Sequence, residues 1–350
     1  MHLLFVHYLF EDRGSAQDVD RFALTAKALG HKVTLYGPPQ LKSPFNYSMD
    51  VQSVDAVIFI FEWTTGLQFG DSLDLARLVA HVPRRRRVVI DCDGKYNDAI
   101  RVVGDYNHSD EAASGRWIAV CDSLSEKIYQ PTYHPLRHNV GTYFFHAYDP
   151  AWEVPLDFGR KEYGLFYVGH NWFRWHSMLR LLKAVEPVRD RVGRMGMLGH
   201  GWGSLPPWAN SSISPDAYYS DAAYLKSLAI EILPPISFDK VIQSMGQGVI
   251  HPVILRPLFS QLQLVTCRTF ETFAANTIPL FGPEEAYIRE LYGEQALRLL
   301  LPLERPHEKI RDVLERPDHY AEAVRAIRQH LSEKHSYSTR LRELVELVER

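Results

Sequence analysis

The chain has 350 residues, 46% of them hydrophobic and 23% charged, with 39 Lys and Arg against 42 Asp and Glu for a net charge of −3. That length exceeds what one hydrophobic core usually serves, so two domains are expected, and the near-neutral balance excludes the strong basic excess of a large nucleic-acid surface. The three cysteines, Cys92, Cys121 and Cys267, stand far apart and form neither a disulfide framework nor a zinc ligand set, which fits a reducing cytosol.

The N-terminal apolar run, LLFVHY at 3–8, is too short to span a bilayer and lacks the basic flank and cleavage site of a signal peptide, so it reads as a first strand. A helix over 16–30 follows, started by Gly14 or Ser15 and stopped by Gly30, with Val19, Phe22, Ala23, Ala26 and Leu29 on one face. Strands are expected at HKVTLYG, at 55–63, at 87–94 and at 117–123, with a helix over 71–82. Continuous apolar runs, rather than strict alternation, mark strands covered on both faces, hence a parallel sheet wound with helices. The Pro- and Trp-bearing stretch 149–158 reads as a linker, after which the pattern restarts: a strand at 164–170, a helix over 175–192, then strands at RMGML, 248–255, 277–282 and 296–303. From Pro317 onward the tail is helical. Two consecutive βα series give an α/β fold of two Rossmann-like, doubly wound domains facing a central cleft, the first over 1–150 and the second over 160–335. In such sheets ligands bind at the carboxyl ends of the strands.

The segment CRTFETFAANTIPLFG, 267–282, places an arginine and a glutamate at the start of a short, otherwise apolar helix. Thr269 is expected to cap it before Phe270, and Asn276 to turn through the left-handed region before the strand. A helix N-terminus with Arg268 beside it suits a phosphate, and Glu271 can then accept both hydroxyls of a ribose. On the residues alone, Glu271 as a first-turn acid paired with an exposed Arg268 fits equally well. YVGHNWFRW, 167–175, places Gly169, His170, Asn171 and Arg174 on a strand-to-helix loop, where a planar guanidinium suits a diphosphate. LGHGWGS adds Gly199 at another strand exit. His251, in VIHPVILRP, either faces the cleft with Arg256 or is a hydrogen-bonded core histidine, the commoner fate.

RTFETFAANTIPLF resembles the nucleotide-binding segment of GT-B glycosyltransferases, and within them the CgeB-like, spore-maturation-type group. The resemblance implies that Glu271 is the second glutamate of a Glu-x7-Glu motif and holds the donor ribose, while the first glutamate is replaced by Gln263. It implies that Gly169, His170, Asn171, Arg174, Gly199, His251, Arg268, Thr269 and Phe270 surround a nucleoside-diphosphate sugar used as co-substrate. It also implies that Glu11, Gly14, Ser15 and Asp18 lie on the acceptor side, with Ser15 replacing the second glycine of the family's pair. The activity implied is transfer of a sugar to an acceptor hydroxyl with retention, aided by Arg174 and Arg268. Were configuration inverted, Glu11, Asp93 or Asp18 would serve as base. The C-terminal helix, 336–350, is expected to pack back on the first domain.

DCDG, 91–94, has the Asp-x-Asp spacing of metal-binding transferases of another architecture. Helix ends and arginines already neutralise phosphate in a doubly wound layout, so Asp93 is read as an acceptor or sugar contact and no metal is expected. The run Arg84, Arg85, Arg86 and Arg87 is either a solvated turn or a peripheral contact with anionic lipid, which leaves the chain cytoplasmic, with an inner-membrane face as the alternative. Two other readings share the architecture: a sugar-nucleotide epimerase, and a relative that binds a nucleotide or partner without turnover.

Overall fold

The computed structural model describes residues 1–7, 14–36, 52–62, 77, 79–102, 111–206, 209, 215–282 and 284–350. They form two compact units. The first comprises Met1–Ala147, Leu258–Cys267 and His335–Arg350, and the second Tyr148–Pro257 and Arg268–Lys334.

In the first unit β1 (His2–His7), β2 (Lys32–Tyr36), β3 (Ala56–Phe61), β4 (Arg87–Asp91), β5 (Lys127–Gln130) and β6 (Val140–Thr142) form one sheet in the order β2-β1-β3-β4-β5-β6. Every pairing is parallel. β1, β3 and β4 are buried along their whole length, as continuous apolar runs require of strands covered on both sides. Helix α1 (Gly14–Ala28) buries Val19, Phe22, Ala23 and Ala26, but Leu29 lies beyond its end and is exposed. Gly30, at φ +76°, turns the chain out of that helix.

One sequence expectation fails here. The run at 117–123 is not a strand but the second half of α2 (Glu111–Leu124), which buries Trp117, Val120, Cys121 and Leu124. The helix expected over 71–82 falls largely outside the described residues. The C-terminal helix belongs to this unit. Its Tyr337 hydroxyl donates to Asp18 Oδ1 at 2.7 Å, and its ring meets Phe22 edge-on at 5.5 Å. Lys127 Nζ holds its last turn through the Leu347 carbonyl at 2.7 Å.

In the second unit β7 (Tyr163–Val168), β8 (Met195–Leu198), β9 (Ile230–Leu233), β10 (Gly248–Val253) and β11 (Ile278–Phe281) form a parallel sheet in the order β11-β10-β7-β8-β9. Its larger helices are α3 (Trp175–Val185), α4 (Cys267–Ala274), α5 (Glu285–Tyr292), α6 (Pro306–Glu315) and α7 (Pro317–Lys334), and the first unit's closing helix is α8 (Tyr337–Glu349). Pro187 interrupts the helix expected over 175–192, so α3 stops at Val185 and a short helical turn resumes at Arg189. The apolar run ALRLLLPL predicts a strand over 296–303, yet its first residues lie in a 3-10 turn, Glu294–Leu299, followed by a single bridge from Leu300 to Phe281. The strand order reverses at β7, which has β8 on one side and β10 on the other. That is the topological switch point, where the ends of neighbouring strands diverge to leave a ligand crevice.

Candidate active site

Helix α4 begins at Cys267, so Thr269 lies inside the first turn and does not cap it. Thr269 is buried, and its carbonyl accepts the Tyr292 hydroxyl at 3.2 Å. Phe270 and Phe273 are fully buried, with Phe273 against Tyr292 at 4.7 Å between ring centres. The apolar residues of this helix are therefore core. Its charged pair occupies the remaining rim of the first turn, one helical turn apart: Arg268 Nε lies 3.6 Å from Glu271 Oε2. The arginine side chain keeps 22% exposure while the carboxylate has 1%. The first-turn N–H groups of a helix have no intrahelical acceptor and carry partial positive charge. Arg268 thus stands with that turn as a cationic ledge over a sunken carboxylate.

The other end of α4 is held from a distance. Arg328 of α7 donates to the carbonyls of Phe273 at 2.7 Å, Ala275 at 2.9 Å and Ala274 at 3.2 Å, with Glu153 3.6 Å from its other terminus. Asn276 does not take the left-handed conformation. Among the described residues, the positive-φ residues other than glycine are Phe173, Ala229, Gln263 and Arg305. Asn276 instead exchanges two hydrogen bonds with the backbone of Asp157.

At the switch point, Gly169 and His170 leave β7, Gly199 and His200 leave β8, and His251 lies on β10. Gly199 has φ +141°, and a Cβ there would run into the Gly169 carbonyl oxygen, so the two strand exits approach as only glycine allows. His170 Nδ1 accepts the His200 N–H at 2.9 Å. Arg174 donates to the carbonyls of His170 at 2.9 Å and Ile254 at 3.3 Å, bridging the β7 and β10 exits. Asn171 is buried and ties the β7 exit to the carbonyls of Gly201 and Tyr219. His251 is fully buried. Its Nε2 accepts the Val168 N–H at 3.2 Å, and its ring stacks on Tyr167 at 5.6 Å. Burial, reinforced by the charge of Arg268, pulls its pKa down to about 3.

In the first unit, Glu11 lies outside the described residues. Gly14 and Ser15 open α1. Asp18 is buried, accepting from Tyr337 and pairing with His146 Nδ1 at 2.9 Å, so its carboxylate fastens α8 to α1 rather than serving merely as a first-turn acid. Asp91 and Asp93 do not share a strand face, because β4 ends at Asp91. Asp91 accepts from the Lys95 and Tyr96 N–H groups and from Gln130 Nε2, and burial raises its pKa. Asp93 lies 3.5 Å from the buried Lys95 ammonium, which sits over the Trp117 ring at 4.4 Å. Among the described residues no group of three or more His, Cys, Asp or Glu is placed to hold a metal ion. Nor is any helix there long and apolar enough to cross a membrane.

Half of the arginine run is internally engaged. Arg84 donates to the Asp122 and Ser123 carbonyls at the end of α2, and Arg87, buried, donates to Val82. Only Arg85 and Arg86 of the four are left to meet an outside surface in the way a four-arginine contact requires.

A family model described as "Glycosyl transferase-like" matches residues 180–346. Among solved structures, an alpha-glucosyltransferase in complex with UDP and a 13-mer DNA containing a central A:G mismatch is 12% identical, with a TM-score of 0.62 over 100% of this chain and 99% of that one. An alpha-glucosyltransferase in complex with UDP-glucose and DNA containing an abasic site is 13% identical with a TM-score of 0.59, over 100% of this chain and 99% of that one. WaaG, a glycosyltransferase involved in lipopolysaccharide biosynthesis, is 12% identical with a TM-score of 0.52, over 99% of each chain. The chain has the GT-B fold. No curated protein matches it in sequence.

Within this GT-B fold, Gln263 follows the short helix Pro257–Gln261 and has φ +52°. It groups with the first unit, whereas Glu271 groups with the second, a division that even spacing along one motif conceals. Arg328 had no sequence signal, since an arginine in a long polar helix reads as surface. The Val168 contact to His251 was equally hidden, being a bond from a backbone group 83 residues away.

Proposed function

We propose that this GT-B chain is a glycosyltransferase that moves a sugar from a nucleoside-diphosphate sugar to an acceptor hydroxyl with retention of configuration, as a CgeB-like enzyme of the cytoplasm that needs no metal. The carrying observation is the Arg268–Glu271 pair on the first turn of α4, in the sheet whose switch point is flanked by Arg174 and the Gly169–Gly199 approach. The match of residues 180–346 to a glycosyl transferase-like family supports the reading, and so do the similar structures that hold UDP or UDP-glucose.

In this reading Glu271 accepts the ribose hydroxyls, and Arg268, Arg174 and the first-turn N–H groups of α4 hold the diphosphate. Charge grows on that diphosphate as the glycosidic bond breaks, and donors fixed in advance lower the barrier because they need not reorganise. The departing phosphate takes the acceptor proton, which removes the need for a protein base. The acceptor contacts are assigned to the first unit at Asp93 and the Gly14–Ser15 turn, with Glu11.

A thermal-shift panel of uridine, guanosine, thymidine and adenosine diphosphates tests this, since a ligand that binds only the folded state raises its stability, by about 2.7 kcal/mol at a hundredfold excess over Kd. One diphosphate is expected to raise the Tm, and Glu271→Ala to abolish the shift while the free protein stays folded. An unchanged shift in Glu271→Ala would remove that carboxylate from the site.

A further inference from the structure

The residues just ahead of Arg268, Leu258–Cys267, belong to the first unit although they follow β10 of the second. Leu258 and Leu262 stand one helical turn apart at the short helix Pro257–Gln261 and so share a face. Gln263 then takes the left-handed conformation at φ +52°. The Gln263 and Leu264 N–H groups return to the carbonyls of Ser260 at 3.2 Å and Phe259 at 2.9 Å, the Schellman closure of a helix end. That reversal sets Leu264 beside Leu262, and three leucine tips converge over Gly94, just beyond β4. A β-carbon on Gly94 would lie 2.6 Å from Leu262 Cδ1, 3.1 Å from Leu264 Cδ1 and 3.7 Å from Leu258 Cδ2. Past them the Val265 N–H donates to the Pro131 carbonyl, after the end of β5, at 2.7 Å. All three leucines and Val265 are buried. Glutamine bears a steric cost in this conformation that glycine avoids, so the leucines packed on either side of it hold the turn. Helix α4 starts at Cys267, and only Thr266 separates it from the pinned Val265. So short a tether keeps the first turn of α4, with Arg268 and Glu271, from shifting on its own.

We propose that Leu258, Leu262 and Leu264, seated on Gly94, position the Arg268–Glu271 pair for the diphosphate and ribose of the donor. This rests on the donor reading above and adds to it the residues that hold its cationic turn in place. They are positioning residues: none of them meets the ligand, and each acts through the first turn of α4.

Full-length wild type, Gly94→Ala and Gly30→Ala are titrated by calorimetry with whichever of the four nucleoside diphosphates binds the wild type tightest. Both glycines lie in the first unit at positive φ, +69° for Gly94 and +76° for Gly30, so both variants bear the strain of alanine there. Only at Gly94 does the new β-carbon meet the leucines; at Gly30 it meets nothing within 4 Å. Leu262 is 3% and Leu264 0% exposed, which leaves their tips no open space to turn into, so the segment itself must give. Gly94→Ala is expected to weaken binding about tenfold, and Gly30→Ala to leave it as in wild type. Amide hydrogen exchange of the wild type gives a second readout that needs no variant to fold. Coupling is reciprocal, so saturation with the diphosphate is expected to slow exchange of the Val265 N–H. Equal affinity in the two variants, or Val265 exchange that ignores saturation, overturns the positioning role while leaving the donor site standing. Failure of the wild type to bind any of the four diphosphates overturns the donor reading and this inference together.

Discussion

Gly199 shows what one position contributes to this site. Its φ of +141° and the Gly169 carbonyl beside it leave no room for a β-carbon, so Gly199→Ala is expected to cost about 2 kcal/mol or more through strained backbone and the displaced β7 exit. Urea denaturation checks this, and a midpoint equal to wild type would show that the two exits can part freely. Glycine at a strand end was readable in the sequence as a loop; the near-contact that demands it was not, because it joins positions on different strands. The same divide separates Arg268 from Asp18. The spacing of Arg268 and Glu271 along one short helix is local, and their pairing follows from it. Asp18 takes its meaning from Tyr337, 319 positions away, and so read as a first-turn acid. His251 lay between these cases, since its burial was foreseeable and its bond from the Val168 N–H was not.

Elements were legible where length and apolar content agreed and illegible where a short apolar run fitted two shapes. WIAVCDS and ALRLLLPL both read as strands. The first is the buried half of α2, whose start lies outside the apolar run, and the second is a 3-10 turn with one bridge. β9 was missed because IEIL alternates weakly at a sheet edge, with Glu231 turned out to Arg194 at 2.8 Å. α4 is the element on which the site depends, and eight residues are too few to hold a helix by propensity alone. Arg328 supplies what is lacking, closing three carbonyls at its end. Arg328→Lys keeps the charge and loses the planar fork, and is expected to destabilise the second unit by about 1–3 kcal/mol. Amide hydrogen exchange across α4 measures this directly. Protection of α4 as strong as in wild type would mean that packing of Phe270 and Phe273 suffices without the cap.

For the whole molecule, the two parallel sheets followed from repeated apolar runs, while the assignment of Leu258–Cys267 to the first unit did not, since nothing local distinguishes that stretch from its neighbours. Each sheet also carries a buried histidine whose pKa burial lowers. His7, at the end of β1, is drawn to about 3 by burial and then by His146, and His251 to about 3 by burial and then by Arg268. An unfolded histidine takes a proton near pH 6.5, so below that value the unfolded chain binds protons that the folded units refuse. Stability is therefore complete above about pH 6.5 and falls as the pH drops toward 3, by up to about 1.4 kcal/mol per pH unit for each histidine. Asp91 acts in the opposite sense, because a raised carboxyl pKa adds stability as acid protonates it, so the second unit gives the cleaner measurement. There the lowered carboxylates Glu186, Glu231 and Asp312 lose their contribution only below about pH 4.5, so in the window from pH 6.5 to 5 the second unit's loss comes from His251 together with His200, whose pKa burial also lowers. His251→Gln is expected to flatten the pH dependence of hydrogen exchange in β7 and β10 across that window and to leave β1 and β3 as in wild type. A slope as steep in the variant would place the titrating group elsewhere.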